Sequence, residues 1–397
     1  MKKLFILMLF LNTSLYSQSN WFIQNSNTSE TLNSVDFVNE NTGYAVGNIG
    51  VILKTTNAGV NWQINSIGLT NYLYSVDFVN INTGYAVGGN GAIIKTTNGG
   101  TNWFGQNSGT IETLNDIFLY DINTGYVVGN NGKILKTTNG GTNWNSQVSA
   151  ATGNNHVFFI TSEIGYVSSQ NGVYKTINGG NNWINLGQAG GGDIHFINLT
   201  TGYYTYVYYI KKTIDGGNNW QSFLMDPHLC TSVFPITSDI VFATANSRIL
   251  KTTNGGNTWN IQNTGISNRL QSIFFINSNT GYIVGDSGLI LKTTNGGDPI
   301  GIFQINTEVP DKITLSQNYP NPFNPSTDIE FEIPKSSYIK MTIYDISGKE
   351  IEVLYNGYLN QGKYSVGWNA VKYSSGIYFY KLETDNYSQS KKMVLAK

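Results

Sequence analysis

The chain is dominated by seven copies of one short motif, Lys-Thr-Thr-Asn-Gly-Gly or a close variant of it. The lysine of the motif recurs at Lys54, Lys95, Lys136, Lys175, Lys212, Lys251 and Lys292. Successive copies are therefore separated by 41, 41, 39, 37, 39 and 41 residues. A period of this length is typical of architectures in which one supersecondary unit is repeated and each unit buries its apolar face against its neighbours.

Each repeat predicts four short β-strands. In the second repeat, residues 74–79 alternate between apolar and polar side chains, residues 85–87 and 92–97 are the runs expected as the second and third strands, and Trp103 opens the fourth. Glycine and asparagine separate these runs, at positions where tight turns require positive φ. Four strands in about 40 residues are typical of a propeller blade. We therefore predict an all-β fold with a single seven-bladed β-propeller, with a β-solenoid as the alternative.

The tryptophans indicate how the predicted ring closes. A tryptophan follows the motif lysine by eight residues in the first six repeats, at Trp62, Trp103, Trp144, Trp183, Trp220 and Trp259. The seventh repeat lacks it, but Trp21 precedes Ser34 by the same thirteen residues by which Trp62 precedes Ser75. We therefore predict that the N-terminal strand at Trp21 pairs as the outer strand of the last blade. Such pairing removes an open sheet edge, which a solenoid would not need.

The turn that follows each motif lysine resembles a known repeat. Thr55-Thr-Asn-Ala-Gly-Val-Asn-Trp62 is similar to the Asp-box of bacterial neuraminidase-type repeats, although asparagine usually replaces the aspartate and Asp215 alone keeps it. This resemblance implies a hairpin staple remote from any active site, in which the side chain binds the N–H groups of the turn. The alternative is a calcium or carbohydrate site at each box.

The repeats as a whole resemble the photosystem II assembly-factor-like propellers. The resemblance rests on the Asp-box together with the Gly-Tyr-x-x-Gly strand at Gly43, and it covers about residues 20–297. Family members chaperone photosystem subunits, partly through an arginine-rich surface. This chain has only two arginines, Arg248 and Arg269. The resemblance therefore implies the fold and not the photosynthetic task.

The two ends of the chain predict export. Lys2 and Lys3 precede an eight-residue apolar run at residues 4–11, as in a signal peptide covering residues 1–18, and the run is too short to span a bilayer. We predict Sec-dependent export to the periplasm and no transmembrane segment. The propeller is expected at residues 19–299, a linker at 300–314 and a further domain at 315–397.

The C-terminal segment reads as a small antiparallel Ig-like β-sandwich, with strands expected at 328–333, 338–344, 364–368 and 377–383. Its motifs resemble the type A sorting domain of type IX secretion cargo. They are Tyr319-Pro-Asn-Pro-Phe323, Tyr344-Asp-Ile-Ser-Gly-Lys349, Ser375-Gly-Ile-Tyr378 and Lys391-Lys-Met-Val-Leu395. The resemblance implies contact with the type IX machinery, passage across the outer membrane, and a protein that is released or attached to the cell surface. The alternative is an accessory carbohydrate-binding sandwich.

Composition narrows the classes of function. The formal net charge is −1 and charged residues are 12% of the chain, so no broad electrostatic attraction to nucleic acid is expected. The single Cys230 excludes an intrachain disulfide and a cysteine metal cage. No catalytic constellation, cofactor motif or metal-ligand spacing is apparent. We predict a non-enzymatic secreted propeller that binds a protein or a glycan. The alternative is a secreted glycan hydrolase or lyase that uses carboxylates at the channel mouth.

One position of the inner strand, which is the first strand of each repeat, varies from repeat to repeat. Aligned on that strand, its occupants are Ser34, Ser75, Asp116, His156, Asp193, Thr231 and Ser272. Variation within a repeated frame is where a specific site can be built, although a hydrated polar channel explains the same residues. We predict a ligand site at the channel mouth. Its candidate residues are Tyr72, Glu112, Asp116, His156, Asp193, His195, His228 and Arg269.

Overall fold

The computed structural model of the chain describes residues 21–396 except 66, 150, 189, 226–228, 263, 298–301, 307–308 and 371–372. The predicted signal peptide at residues 1–18 lies outside the described residues. The chain divides into two compact units, one comprising Asn20–Gly297 and the other including Asp298–Lys397.

The first unit contains 28 described strands and three short 3₁₀ turns at Asn48–Gly50, Gly89–Gly91 and Asp286–Gly288. The strands are β1 (Phe22–Gln24), β2 (Leu32–Phe37), β3 (Gly43–Gly47), β4 (Ile52–Thr55), β5 (Gln63–Ile64), β6 (Leu73–Phe78), β7 (Gly84–Gly88), β8 (Ile93–Thr96), β9 (Phe104–Gln106), β10 (Leu114–Leu119), β11 (Gly125–Gly129), β12 (Ile134–Thr137), β13 (Asn145–Ser146), β14 (Asn154–Phe159), β15 (Gly165–Ser169), β16 (Gly172–Thr176), β17 (Ile184–Asn185), β18 (Ile194–Phe196), β19 (Gly202–Tyr206), β20 (Tyr209–Thr213), β21 (Gln221–Leu224), β22 (Cys230–Pro235), β23 (Val241–Ala245), β24 (Arg248–Thr252), β25 (Asn260–Gln262), β26 (Leu270–Phe275), β27 (Gly281–Gly285) and β28 (Ile290–Thr293).

These strands form seven antiparallel sheets of four strands each within the described part of the unit. We call them S1 (β2–β5), S2 (β6–β9), S3 (β10–β13), S4 (β14–β17), S5 (β18–β21), S6 (β22–β25) and S7 (β26–β28 with β1). The first strand of each sheet contacts the first strand of the next, and β26 of S7 contacts β2 of S1. Each sheet thus corresponds to one sequence repeat, and the last sheet lies against the first.

The Asp-box turns are held by their own side chains. In S2, Asn98 Oδ1 accepts hydrogen bonds from the Thr96 hydroxyl at 3.1 Å and from the Asn102 N–H at 2.9 Å. The Thr96 hydroxyl oxygen also accepts a hydrogen bond from Gly100 N–H at 2.8 Å. Gly99 and Gly100 have φ of 63° and 78°, which explains the Gly-Gly pair in the motif. The asparagine is therefore occupied in closing its own turn.

The recurring lysine joins each sheet to the next one. Its ammonium lies 5.3–5.7 Å from the centre of an aromatic ring in its own sheet, such as that of Tyr85 for Lys95. It donates a hydrogen bond to a carbonyl in the Asp-box turn of the following sheet, as Lys95 Nζ does to Gly140 O at 2.7 Å. In S7, Lys292 Nζ donates to Ala58 O of S1 at 2.7 Å. The same contact thus links the last sheet to the first.

The N-terminal strand completes S7, as the displaced tryptophan predicted. β1 pairs antiparallel with β28, with Phe22 opposite Lys292. Trp21 is buried, and its ring packs edge-on against Phe275 at 5.8 Å, as Trp62 packs against Phe37 at 5.9 Å in S1. Residues from the start and end of the repeat region therefore share one sheet and one hydrophobic cluster.

The second unit contains β29 (Ile302–Asn306), β30 (Thr314–Leu315), β31 (Ser326–Ile333), β32 (Ser337–Tyr344), β33 (Glu350–Leu359), β34 (Gly362–Asn369), β35 (Gly376–Thr384) and β36 (Tyr387–Leu395). They form two four-stranded antiparallel sheets, ordered β29-β34-β31-β30 and β33-β32-β35-β36. One hydrophobic cluster, including Phe331, Trp368 and Tyr380, draws residues from both sheets. The four strands expected here from the sequence correspond to β31, β32, β34 and β35, and β29 falls within residues 300–314.

Candidate functional site

The variable inner-strand positions lie at one register of seven equivalent strands. Ser34, Ser75 and Asp116 stand opposite Val46, Val87 and Val128 of the neighbouring strands, and the equivalent pair in S6 is Ser232 opposite Thr244. The prediction that placed Thr231 at this position is therefore wrong by one residue. The β23–β24 hairpin is one residue shorter than its counterpart in S1, since Val241 pairs with Thr252 whereas Gly43 pairs with Thr55. The inner strand of S6 thus lies one residue closer to the motif lysine. We call the corrected set the polar ring. It consists of Ser34, Ser75, Asp116, His156, Asp193, Ser232 and Ser272.

Three predicted site residues of the polar ring meet across consecutive sheets. His156 Nδ1 of S4 lies 3.6 Å from Asp116 Oδ2 of S3 and 3.6 Å from Asp193 Oδ1 of S5. The imidazole is about a third exposed, and the carboxylates are less exposed. The structure thus brings together side chains that are separated by about 40 residues in the sequence.

The two carboxylates determine the charge of His156. Burial disfavours the imidazolium, but the hydrogen bond with Asp116 and the charges of Asp193 and Asp116 outweigh this cost and raise the pKa of His156 to about 9. His156 is therefore cationic at neutral pH. Its Nδ1 faces the carboxylates, and its Nε2 has no hydrogen-bond partner among the residues that the structure describes.

Both carboxylates also accept hydrogen bonds from neighbouring sheets, Asp116 from S2 and S4 and Asp193 from S6. Asp116 accepts hydrogen bonds from the Ser75 hydroxyl at 2.6 Å and from Val157 N–H at 3.0 Å. Asp193 accepts them from the Ser232 hydroxyl at 2.7 Å and from Val233 N–H at 3.0 Å. Because these contacts cross sheet boundaries, the two aspartates tie neighbouring sheets together and orient His156.

A second ring lies two residues further along each inner strand, hence on the same strand face. It consists of Asp36, Asp77, Phe118, Phe158, His195, Phe234 and Phe274. His195 packs between Phe158 and Phe234, with ring centres at 4.5 and 5.0 Å. Burial lowers the pKa of His195 to about 4, although Asp193 acts in the opposite direction, so this histidine is neutral at neutral pH. His195 was predicted from the sequence as a site residue, whereas the phenylalanines were not. Their position two residues after each member of the polar ring would have predicted that they share its strand face.

The aromatic part of the second ring is interrupted by two carboxyl groups in S1 and S2. Asp36 Oδ2 accepts a hydrogen bond from Phe78 N–H at 2.9 Å, and Asp77 Oδ2 accepts one from Leu119 N–H at 2.5 Å. Burial raises the pKa of Asp36 to about 7. Burial and then the charge of Asp36 raise the pKa of Asp77 well above its ordinary value. One proton is therefore retained by this pair near neutral pH.

The other predicted site residues make their contacts elsewhere. Tyr72 is about half exposed and packs edge-on against Tyr74, with ring centres 6.5 Å apart. Glu112 accepts a hydrogen bond from Asn131 Nδ2 at 2.8 Å. Arg269 is exposed, and its carbonyl accepts a hydrogen bond from Asp286 N–H. His228 lies outside the described residues. None of the described three contacts the Asp116–His156–Asp193 cluster.

Among the described residues, no group of three or more histidine, cysteine, aspartate or glutamate side chains is arranged to hold a metal ion. No helix in the described part is both long and apolar enough to cross a membrane.

The four-stranded antiparallel sheets of the first unit contact one another in series through their inner strands. This arrangement defines a β-propeller protein, and comparison with known families agrees. Residues 13–105 and 59–198 match the family model of the photosynthesis system II assembly factor YCF48. Residues 317–396 match the secretion system C-terminal sorting domain. The second match identifies a type IX sorting domain and indicates export to the cell surface or the extracellular space. None of the curated proteins matches the chain.

Solved structures show the same fold at low sequence identity. YCF48 bound to D1 peptide is 18% identical, with a TM-score of 0.62 over 70% of this chain and 98% of that one. An ancestral GH74 enzyme is 15% identical, with a TM-score of 0.57 over 94% and 63%. PorZ, a surface component of the type IX secretion system of Porphyromonas gingivalis, is 13% identical, with a TM-score of 0.52 over 90% and 58%.

Proposed function

We propose that this protein is a secreted or cell-surface binding protein without enzymatic activity. In this proposal S1–S7 are the seven blades of one closed propeller at residues 19–299. Residues 315–397 are an Ig-like sandwich that serves as the sorting domain, connected through residues 300–314. The ligand binds at the channel mouth, beside the polar ring.

The observation that supports this most is the arrangement around His156. The imidazolium is oriented by Asp116 and Asp193, and its Nε2–H is a charged donor without a described partner. A charged hydrogen bond of this kind is stronger than a neutral one, so it favours a ligand that presents a carbonyl or carboxylate oxygen. Tyr72, Glu112 and Arg269 would add variable contacts on the same face.

The hydrogen bonds of the channel carboxylates argue for binding over hydrolysis. A glycosidase needs one carboxyl group to give a proton to the leaving group and a second to act as nucleophile or base. Asp116 and Asp193 both accept hydrogen bonds from the next sheet and face His156. The resemblance to a GH74 enzyme extends to the fold alone and does not decide the matter.

Of the two ligand classes, a polypeptide has the better support. The solved YCF48 structure, which has the same fold, holds a peptide. A peptide also offers the carbonyl and carboxylate oxygens that the His156 donor requires. We therefore propose a protein ligand. Binding to glycans and not to peptides would contradict this choice.

We expect the purified protein to bind members of a synthetic peptide array, with weaker or no signal on a glycan array. His156→Ala should reduce the affinity for the best peptide at least tenfold, because the charged donor is lost. Affinity in the native protein should also fall as pH rises through about 9, where His156 loses its proton. Calorimetric titration at pH 7 and pH 10 measures both effects.

Asn98→Ala is the matched control for this experiment. Asn98 closes an Asp-box turn at the opposite end of the sheets, so its loss should cost about 1 kcal/mol of stability and leave peptide affinity intact. If Asn98→Ala abolishes binding while His156→Ala does not, the ligand lies on the other face and the proposal is wrong.

Passage across the outer membrane should depend on the C-terminal domain. A chain ending at Gly297 should keep the β-content of the repeat region and accumulate in the periplasm of the native host. Residues 315–397 fused to an unrelated periplasmic reporter should in turn carry that reporter to the surface or the medium. Fractionation with immunodetection measures both. Normal surface delivery of the truncated chain would contradict the sorting assignment.

A further inference from the structure

A second concave site lies away from the channel, between the outer strands of S5 and S6. It is a cavity of about 500 Å³, which falls within the range of about 300–1,000 Å³ that is usual for small-molecule sites. Its lining includes Phe223, Leu250, Trp259 and Ile261, together with Arg248. The site is independent of the peptide-binding function proposed above.

A side-chain exchange distinguishes this junction from those that carry an amide bridge. In S1 and S6, the residue at the equivalent position of the outer strand is Asn65 or Gln262, whose side-chain amide donates to a glycine carbonyl in the Asp-box turn of the next sheet. In S5 this position holds Phe223, which cannot make that hydrogen bond. Its ring lies against Gly256 of S6, where a Cβ atom would come within 2.9 Å of it. The junction is therefore lined by an aromatic ring in place of an amide bridge.

The lining combines apolar side chains with one cationic group, Arg248, and two neutral polar side chains, Ser222 and Asn257. Leu250 is buried at the base of the cavity, and the side chains of Leu224 and Ile261 are more than half exposed beside it. Arg248 is the first residue of β24, opposite Ala245, and it is exposed. No described acidic side chain forms an ion pair with Arg248. Its guanidinium is thus a charged, planar donor available to a ligand.

We propose that this cavity binds a small amphipathic organic anion. The aromatic or branched apolar body of the ligand packs between Phe223, Trp259 and Ile261, and its anionic group pairs with Arg248. Small-molecule sites are usually lined mostly by hydrophobic and aromatic side chains, with a few polar or charged groups that orient the ligand. A bidentate pairing of guanidinium with a carboxylate or sulfonate sets the orientation.

Two fluorescent probes of nearly the same shape test this proposal on the full-length secreted protein. One is 8-anilinonaphthalene-1-sulfonate, which carries an anion, and the other is N-phenyl-1-naphthylamine, which does not. We expect saturable binding of both, with the anionic probe bound more tightly. Arg248→Gln should weaken binding of the anionic probe about tenfold and leave the neutral probe unchanged. Lys133→Gln, which removes a cationic side chain of S3, should change neither.

Phe223→Gln restores the amide found at other sheet junctions and serves as the second variant. Its side chain can donate to the turn of S6 as Gln262 does to Gly296. The variant should keep the native melting temperature and lose at least tenfold in affinity for both probes. The proposal is overturned if Phe223→Gln binds both probes as the native protein does, or if Arg248→Gln and Lys133→Gln have equal effects on the anionic probe.

Discussion

Replacing Trp21 by alanine should lower the free energy of unfolding by about 3–5 kcal/mol, the usual cost of deleting a buried large aromatic side chain. Trp21 is 6% exposed, packs against Phe275, and donates through Nε1 to Gln262 Oε1 at 2.7 Å. The substitution therefore opens a cavity and leaves a buried amide without its donor. Deleting residues 19–27 should have a larger effect, because it also exposes the edge of β28 to aggregation. Chemical denaturation followed by tryptophan fluorescence and circular dichroism measures both.

Phe22→Ala is the matched control for Trp21→Ala. Phe22 belongs to the same N-terminal strand, but half of its side chain is exposed. We expect a change within about 0.5 kcal/mol, as for most surface substitutions. Equal unfolding curves for the two variants would show that the N-terminal strand does not hold the last sheet to the ring.

Replacing Asp36 by asparagine should stabilise the protein at pH 8 by about 2 kcal/mol. A pKa raised from 3.8 to about 7 means that the folded state holds the proton more tightly than the unfolded state does. The native protein therefore loses stability from this group as pH rises from about 4 to about 7, and the loss is complete above that window. A shift of this size corresponds to about 4 kcal/mol, which partial exposure of the carboxyl group reduces. Asparagine keeps the acceptor for Phe78 N–H without the charge.

The dependence on pH distinguishes this effect from a general improvement in packing. Near pH 4, where the Asp36 carboxyl of the folded native protein is protonated and therefore uncharged, the native protein and Asp36→Asn should be about equally stable. Glu40→Gln, which removes an exposed carboxylate that follows the same strand, should have no effect at either pH. Melting temperatures recorded from pH 4 to pH 9 suffice. If the Asp36→Asn variant is no more stable than the native protein at pH 8, the charge of Asp36 does not destabilise the native protein and the prediction is wrong.

Local patterns in the sequence were sufficient for the repeat unit. The alternation in residues 74–79 and the following Gly-Asn turns predicted the four strands of S2 to within about a residue, because strand and turn preferences act over a few neighbouring residues. The position of Trp21 predicted its pairing with the last sheet, since a missing member of a strict repeat must be supplied from elsewhere. The C-terminal motifs likewise identified the sorting domain.

The candidate site could be predicted only in part. The repeat spacing brought Asp116, His156 and Asp193 to one register, and the structure shows them in contact. Thr231 was predicted in the polar ring instead of Ser232, because the β23–β24 hairpin of S6 is one residue shorter than its counterpart in S1 and the inner strand therefore lies one residue closer to the motif lysine. The predicted site also included Tyr72, Glu112 and Arg269, which do not contact the Asp116–His156–Asp193 cluster.

The sequence by itself determined the repeat, its number of copies, the closing strand and the export domain. All of these follow from periodicity and short motifs. The tertiary structure alone decided which groups carry charge. The pKa of His156 is raised and that of His195 is lowered by the neighbours each meets across a sheet boundary. The same holds for the lysines, whose carbonyl partners lie in the next sheet. Such contacts join residues about 40 positions apart, and their energies depend on distances of a few ångströms that no local pattern specifies.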